Sequence, residues 1–124
     1  MRARGAIHAY FAWIAVVLYM GVIFYLSHQP TLPIPMRFPY QDKAMHFGAY
    51  FVLAALLAHA IYPGSHKRRF ALALLIASLY GVSDEIHQMF VVGRDASVFD
   101  WLADSAGAWM GAYLYLKSRR STGS

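Results

Sequence analysis

Four stretches of this chain run for about 20 residues almost without charge, and no other feature limits its fold as much. Residues 6–26 and 70–90 make runs of 21, and residues 44–62 and 98–116 make runs of 19. At about 1.5 Å per helical residue, each is long enough to cross a hydrocarbon core roughly 30 Å thick. In lipid every backbone N–H and C=O must find its partner inside the protein, which leaves only helices and closed barrels. A run of 19 far exceeds a membrane strand of about 10 residues. The sequence therefore predicts an all-α membrane protein with four transmembrane helices, at about 6–26, 44–62, 70–90 and 98–116, in a single domain over residues 1–124. A composition of 59% hydrophobic and 14% charged residues agrees, being too apolar for an ordinary soluble domain. The first run is longer than a signal-peptide core and leads into Ser27-His28-Gln29 rather than a small-x-small cleavage site, so it is expected to be retained as a helix.

The formal charge of +5 invites a nucleic-acid reading, but the positions of the charges argue against it. Arg2 and Arg4 precede the first run, Lys67, Arg68 and Arg69 separate the second from the third, and Lys117, Arg119 and Arg120 follow the fourth. These are eight of the eleven basic residues, and only Arg37, Lys43 and Arg94 fall on the opposite side. The positive-inside rule then places both termini in the cytoplasm and makes the net charge topological. This predicts a multi-pass protein of the bacterial cytoplasmic (inner) membrane, with membrane lipids rather than nucleic acid as its surroundings. The chain has no cysteine, which excludes disulfides, thiolate nucleophiles and Cys-ligated metals.

All six acids, Asp42, Asp84, Glu85, Asp95, Asp100 and Asp104, lie at outer helix ends or in outer loops in this topology. The positive-inside rule says little about acids, so their segregation needs a second cause, and an outward-facing polar site at the outer-leaflet side is the natural one. His46 is three residues inside Lys43, Glu85 five inside Phe90, and Asp104 six inside Val98, or roughly 5, 8 and 9 Å below the outer ends. A charge at membrane depth costs on the order of 2.5–3.5 kcal/mol on insertion scales, so such groups are expected to face the bundle interior or a wet cavity.

Helical spacing groups these residues. Asp42, His46 and Tyr50 recur every four positions, Asp84 shares a face with His87 and Gln88, and Asp100, Asp104, Gly107 and Gly111 form a stripe that passes from polar to small. Gly107-Ala108-Trp109-Met110-Gly111 fits the close-packing G-x-x-x-G pattern. Simpler roles stand beside the functional ones. Asp42 could cap the second helix, and Ser97-Val98-Phe99-Asp100 matches a capping box. Lys43 and Arg94 could snorkel or pair with nearby acids, Tyr50 and Trp101 could be interfacial aromatics, and Asp95 a solvated loop acid. Capping does not explain Asp84, Glu85 or Asp104, which sit well inside their runs. The outer loop 27–43 holds Pro30, Pro33, Pro35 and Pro39; with Leu32, Ile34, Met36 and Phe38 it is either a cover lying along the membrane surface or a plain connector.

Ser27-His28-Gln29-Pro30, then Asp42-Lys43-Ala44-Met45-His46-Phe47 with Tyr50, then Asp84-Glu85-Ile86-His87-Gln88-Met89-Phe90, and last Gly93-Arg94, Ser97, Asp100, Asp104 and Gly107 appear in this order. Together they resemble the VanZ-like family of small bacterial membrane proteins over residues 27–111. Two positions depart from that pattern: Val92 precedes Gly93 where proline is usual, and Asp104 stands where asparagine is expected at least as often. The family takes its name from an accessory protein of teicoplanin resistance, so the resemblance brings glycopeptide susceptibility among the expected phenotypes without naming a reaction.

Two functional classes use the same residues. As an enzyme, the chain would use Glu85 or Asp84 as general acid or base with His46 as partner. Asp42, Lys43, Tyr50, Gln88, Arg94, Ser97, Asp100 and Asp104 would line the pocket or hold an anionic lipid or lipid-linked envelope precursor, helped by the outward-facing helix N-termini. As a binding, accessory or transport-related protein, it would hold such a molecule without bond making, and the polar layer would serve helix packing at about 0.6–2 kcal/mol per hydrogen bond. Homo-oligomers are left open, and transport through four short helices would require them. No G-x-S-x-G, H-E-x-x-H or P-loop is present. His46, His87 and Asp84 have no regular ligand spacing, so neither a metal nor another cofactor is expected.

Overall fold

A computed structural model describes residues 3–29, 35, 37–94 and 96–121. It contains four helices: α1 (Ala3–His28), α2 (Gln41–Ala60), α3 (His66–Gln88) and α4 (Val98–Ser121). Three of them are long and apolar enough to cross a membrane, α1 over Ile7–His28 and α2 and α3 along their full lengths. The fourth, at 24 residues, is long enough but carries Asp100, Asp104, Lys117 and Arg119 within its length.

The helix ends differ from the apolar runs by a few residues, because burial in lipid and helix capping follow different rules. Tyr40, with φ 63° and ψ 17°, turns the chain into α2 one turn ahead of the apolar run, and α2 stops at Ala60 ahead of Pro63. Ser65 starts α3 by accepting the Arg68 N–H on its Oγ at 3.1 Å, so the helix begins four residues before the run does. At the other end Met89 and Phe90 already form a turn.

Small residues make the core. Ala54, Ala58, Ala73, Ala77, Ala108 and Ala112 are fully buried, with Leu53, Leu57 and Val16 among them. The closest approach is between α2 and α4. A methyl group on Gly107 would collide with the Phe47 carbonyl, and one on Gly111 with that of Phe51, so the two glycines let the α2 and α4 backbones touch. The helix α1 leans on α2 and α3 and, among the described residues, does not reach α4. It is tied by Tyr19 Oη donating to the Ala49 carbonyl at 2.9 Å and by Tyr80 Oη donating to that of Met20 at 2.6 Å. Phe11, Leu18, Val22, Phe90, Val92 and Phe99 point outward, an arrangement that suits lipid rather than water as the surroundings.

Arg69 departs from its expected part as a mere topological charge. It is buried and donates from Nε and Nη2 to the Ala58 carbonyl at 3.1 and 2.7 Å, satisfying an orphan acceptor at the end of α2. Of the residues singled out in sequence, Arg2, Pro30, Leu32, Pro33, Ile34, Met36 and Asp95 lie outside those described, and with them most of the expected cover.

Candidate functional site

Three helices deliver ionisable side chains to one junction near the first turns of α2 and α4 and the last turns of α3. His46 on α2 meets Asp104 on α4, with Nδ1 2.7 Å from Oδ1. Glu85 on α3 brings Oε1 to 3.9 Å from the same nitrogen, and Asp100 brings Oδ2 to 3.9 Å from His46 Nε2. One turn further along α2, the fully buried Tyr50 donates its hydroxyl to Asp84 Oδ2 at 3.2 Å. Above them Lys43 Nζ bridges Asp42 Oδ2 at 2.7 Å and Asp100 Oδ1 at 3.0 Å.

Adjacent residues on a helix point about 100° apart, yet Asp84 and Glu85 are both buried. They face different neighbours: Asp84 turns to Tyr50 of α2, and Glu85 Oε2 accepts the N–H of Ser97 at 3.0 Å, where the chain enters α4. That contact revises the capping box. Ser97 Oγ accepts the Phe99 N–H at 3.0 Å, as a capping serine should, but the reciprocal bond expected from Asp100 comes from Glu85 instead. Asp100 is thereby left for Lys43. Asp42 is not the α2 cap either. Tyr40 occupies that position without a side-chain bond, and Asp42 in the first turn pairs with Lys43.

Arg94 joins the site, and among the described residues none of its hydrogen bonds goes to an acid. Its Nη1 donates to the carbonyls of Leu26 and Gln29, at 2.9 Å each, and so ties the C-terminal end of α1 to the loop before α4. It also lines a pocket of about 80 Å³, with Ser27, His46, Tyr50, Asp84 and the buried Gln88 as the other polar members. The rest of the wall is mostly apolar, from Ile23 and Leu26 of α1 and Met45 and Ala49 of α2. The arrangement can pair a polar group with an apolar chain. His46, Asp84, Glu85 and Asp104 each place one ligand-capable atom within 4.8 Å of the other three, so this is also where a cation would fit.

His87 does not join the cluster, although spacing put it on the face of Asp84. Its Nε2 lies 3.1 Å from His28 Nδ1, and its ring stacks on Phe24 at 4.5 Å between centroids. His8 and His59 make a similar pair at the opposite end of α1, 3.0 Å apart. Neither pair has a signal in sequence, since the partners are more than fifty positions apart. The buried Gln41 is a further polar residue without an expected role: its Oε1 accepts from the Arg37 N–H and its Nε2 donates to the Pro35 carbonyl, both local contacts in the turn before α2. Trp101, read as an interfacial aromatic, donates its Nε1–H to the Ser78 carbonyl at 3.0 Å and is half-buried against α3. A larger groove of about 720 Å³ lies near the start of α3 and the end of α4, lined by Lys67, Phe70, Trp109, Tyr113 and Lys117 among others, and holds none of the predicted site residues.

The fold and the cluster define a class: a small helical membrane protein in which an acid- and histidine-bearing junction sits between three closely packed helices. Within that class the assignment is specific, because the VanZ/LLP1 family model matches residues 11–119 and the chain belongs to this family. No curated protein and no solved structure matches the chain.

Proposed function

We propose that this VanZ-family protein spans the bacterial cytoplasmic membrane four times with both termini inside, and that its polar junction faces the outer leaflet. There it binds or acts on the headgroup of an anionic lipid or lipid-linked envelope component. The observation that carries this reading is the pocket in which His46, Tyr50, Asp84, Gln88 and Arg94 share one wall with Ile23, Leu26, Met45 and Ala49. Such a site can accept a headgroup while the attached chain remains among apolar residues. An 80 Å³ space admits part of a headgroup rather than a whole lipid, so the acyl portion lies outside, along α1.

Burial supports α4 as the fourth span. Asp100 and Asp104 are its acids, and both are withdrawn into the junction, while Val98, Phe99, Leu102 and Leu114 face outward. Arg94, which lines this pocket, and the N-termini of α2 and α4 supply the positive potential for a phosphate. The hydrogen bonds of Glu85 to Ser97 and Tyr50 to Asp84 favour a second reading, in which the layer fastens helices and the protein is an accessory without chemistry of its own.

The test uses purified protein in nanodiscs with labelled phosphatidylglycerol, phosphatidylethanolamine or an undecaprenyl-linked precursor, scored for retention and for turnover. Preferential retention of the anionic lipids, weakened in Arg94→Ala, supports the binding reading. Turnover that disappears in Glu85→Gln supports the enzymatic one. Equal retention of all three lipids without turnover leaves the accessory reading, which is then tested by glycopeptide susceptibility of cells with and without the protein.

A further inference from the structure

When ionised, the three carboxyl groups of the junction, Asp84, Glu85 and Asp104, outnumber the single imidazole of His46. Three carboxylates converge on one imidazole. Among the described residues neither Lys43 nor Arg94 forms an ion pair with these acids: Lys43 is held by Asp42 and Asp100, and the Arg94 Nη1 points to the carbonyls of Leu26 and Gln29. Uncompensated charge away from water is costly, so a second cation is the economical complement.

Unpartnered atoms point the same way independently. Glu85 is 9% exposed, and its Oε2 is taken by the Ser97 N–H. Among the described residues its buried Oε1 has no hydrogen-bond partner, and it lies 3.9 Å from His46 Nδ1. Asp104 is fully buried, and its Oδ2 is likewise without a partner. Buried carboxylate oxygens are seldom left so, and two of them in one cluster mark a place prepared for a donor or a cation.

We propose that His46, Asp84, Glu85 and Asp104 bind one divalent first-row transition metal, with zinc the best fit. An imidazole nitrogen among carboxylate oxygens disfavours calcium and magnesium, which take oxygen ligands. Zinc bonds of about 2.0–2.1 Å set tetrahedral donors about 3.3 Å apart, and the four present donors all lie within 4.8 Å of one another, so binding draws them together by about 1.5 Å at most. His46 Nδ1 donates its lone pair to the metal, and the proton shared with Asp104 is released to solvent. The ring proton then sits on Nε2, facing Asp100 Oδ2 at 3.9 Å, while the Tyr50 hydroxyl holds Asp84. Both are outer-shell contacts of the kind that orient metal ligands. Sequence spacing did not indicate this site, because its ligands come from three helices. It stands apart from the lipid reading, since it requires no lipid to form.

The full chain, carrying a tag without histidine, is purified in detergent. Metal content is measured by mass spectrometry before and after chelation, and the stripped protein is titrated with ZnCl2, MnCl2, MgCl2 and CaCl2. The expected result is one zinc per chain, an upward shift of the melting temperature on adding zinc, and no comparable shift with magnesium or calcium. Glu85→Gln keeps an acceptor for Ser97 and removes a ligand charge. It and His46→Gln should each weaken zinc binding at least tenfold, while His87→Asn leaves it unchanged. Three results would overturn the proposal: absence of zinc from wild-type protein that melts cooperatively, wild-type zinc affinity in both ligand variants, or loss of zinc only in His87→Asn, which would move the metal to the His28–His87 pair. None of these outcomes bears on lipid retention, so the two proposals fail separately.

Discussion

His46 and Asp104 meet across the α2–α4 contact at 2.7 Å, Nδ1 to Oδ1, in a position where Asp104 is completely shielded. The pair sits one turn above Gly107, whose missing side chain lets the Phe47 carbonyl approach. Close backbone packing and a close polar pair are thus two parts of one helix contact. A buried pair of this kind should show strong energetic coupling. In a double-mutant cycle of His46→Ala and Asp104→Ala, followed by cooperative unfolding in detergent micelles, the interaction energy should be about 0.5–3 kcal/mol. Additive single effects would mean that the contact carries no net stabilisation.

Gly107→Ala tests the packing half. The added methyl would meet backbone, which cannot rotate away as a flexible side chain can, so α2 and α4 must separate. The expected cost is about 1–3 kcal/mol, the range for overpacking a filled core. Gly48→Ala on α2 is the matched control, because a methyl there meets nothing within 4 Å and alanine is the better helix former. Similar melting temperatures for the two variants would contradict the close approach.

Much of this architecture was legible in the chain, and the reasons are local. Uncharged runs of about 20 residues identify helices because lipid removes every alternative for the backbone. Depth put His46, Glu85 and Asp104 in one layer, and depth with helical phase grouped His46, Asp84, Glu85 and Arg94, since burial cost forces ionisable groups inward whichever helix carries them. Partner choice was not legible. The Ser97-to-Asp100 pattern looked like a closed capping box, yet Glu85 from another helix supplies the reciprocal acceptor. His87 had the phase to join Asp84 and instead meets His28 on α1. Such pairings depend on inter-helix rotation, and no spacing within one helix encodes it.

Sidedness rests on the basic residues and has a direct test. Lys67 lies exposed in the first turn of α3, and Ala96 is exposed before α4. In this cysteine-free chain, Lys67→Cys should react with an impermeant maleimide only after the cells are opened, and Ala96→Cys in intact cells. Labelling of both sites in intact cells would remove α3, which lies between them, as a span, and the reverse pattern would turn the junction toward the cytoplasm.

Glu85 has two oxygens with different employment, and that allows structure and function to be separated in one residue. Oε2 accepts the Ser97 N–H at 3.0 Å and so holds the entry to α4, while Oε1 faces His46 without a hydrogen-bond partner. Glu85→Gln keeps an acceptor for Ser97 and removes the charge. Glu85→Ala removes both and leaves a partly buried N–H unmet, a cost of about 1–3 kcal/mol. Compared in metal-free buffer, the alanine variant should therefore melt lower than wild type, and the glutamine variant should accumulate in the membrane and melt close to it. If the charge serves acid–base chemistry, Glu85→Gln should still lose activity by about 10²–10⁴-fold, a drop that a packing role does not produce. Asp84→Asn is the companion, since its amide oxygen can still accept from Tyr50. Full phenotype in both isosteric variants, measured at equal protein levels, would discard the enzymatic reading and leave binding as the function of the junction.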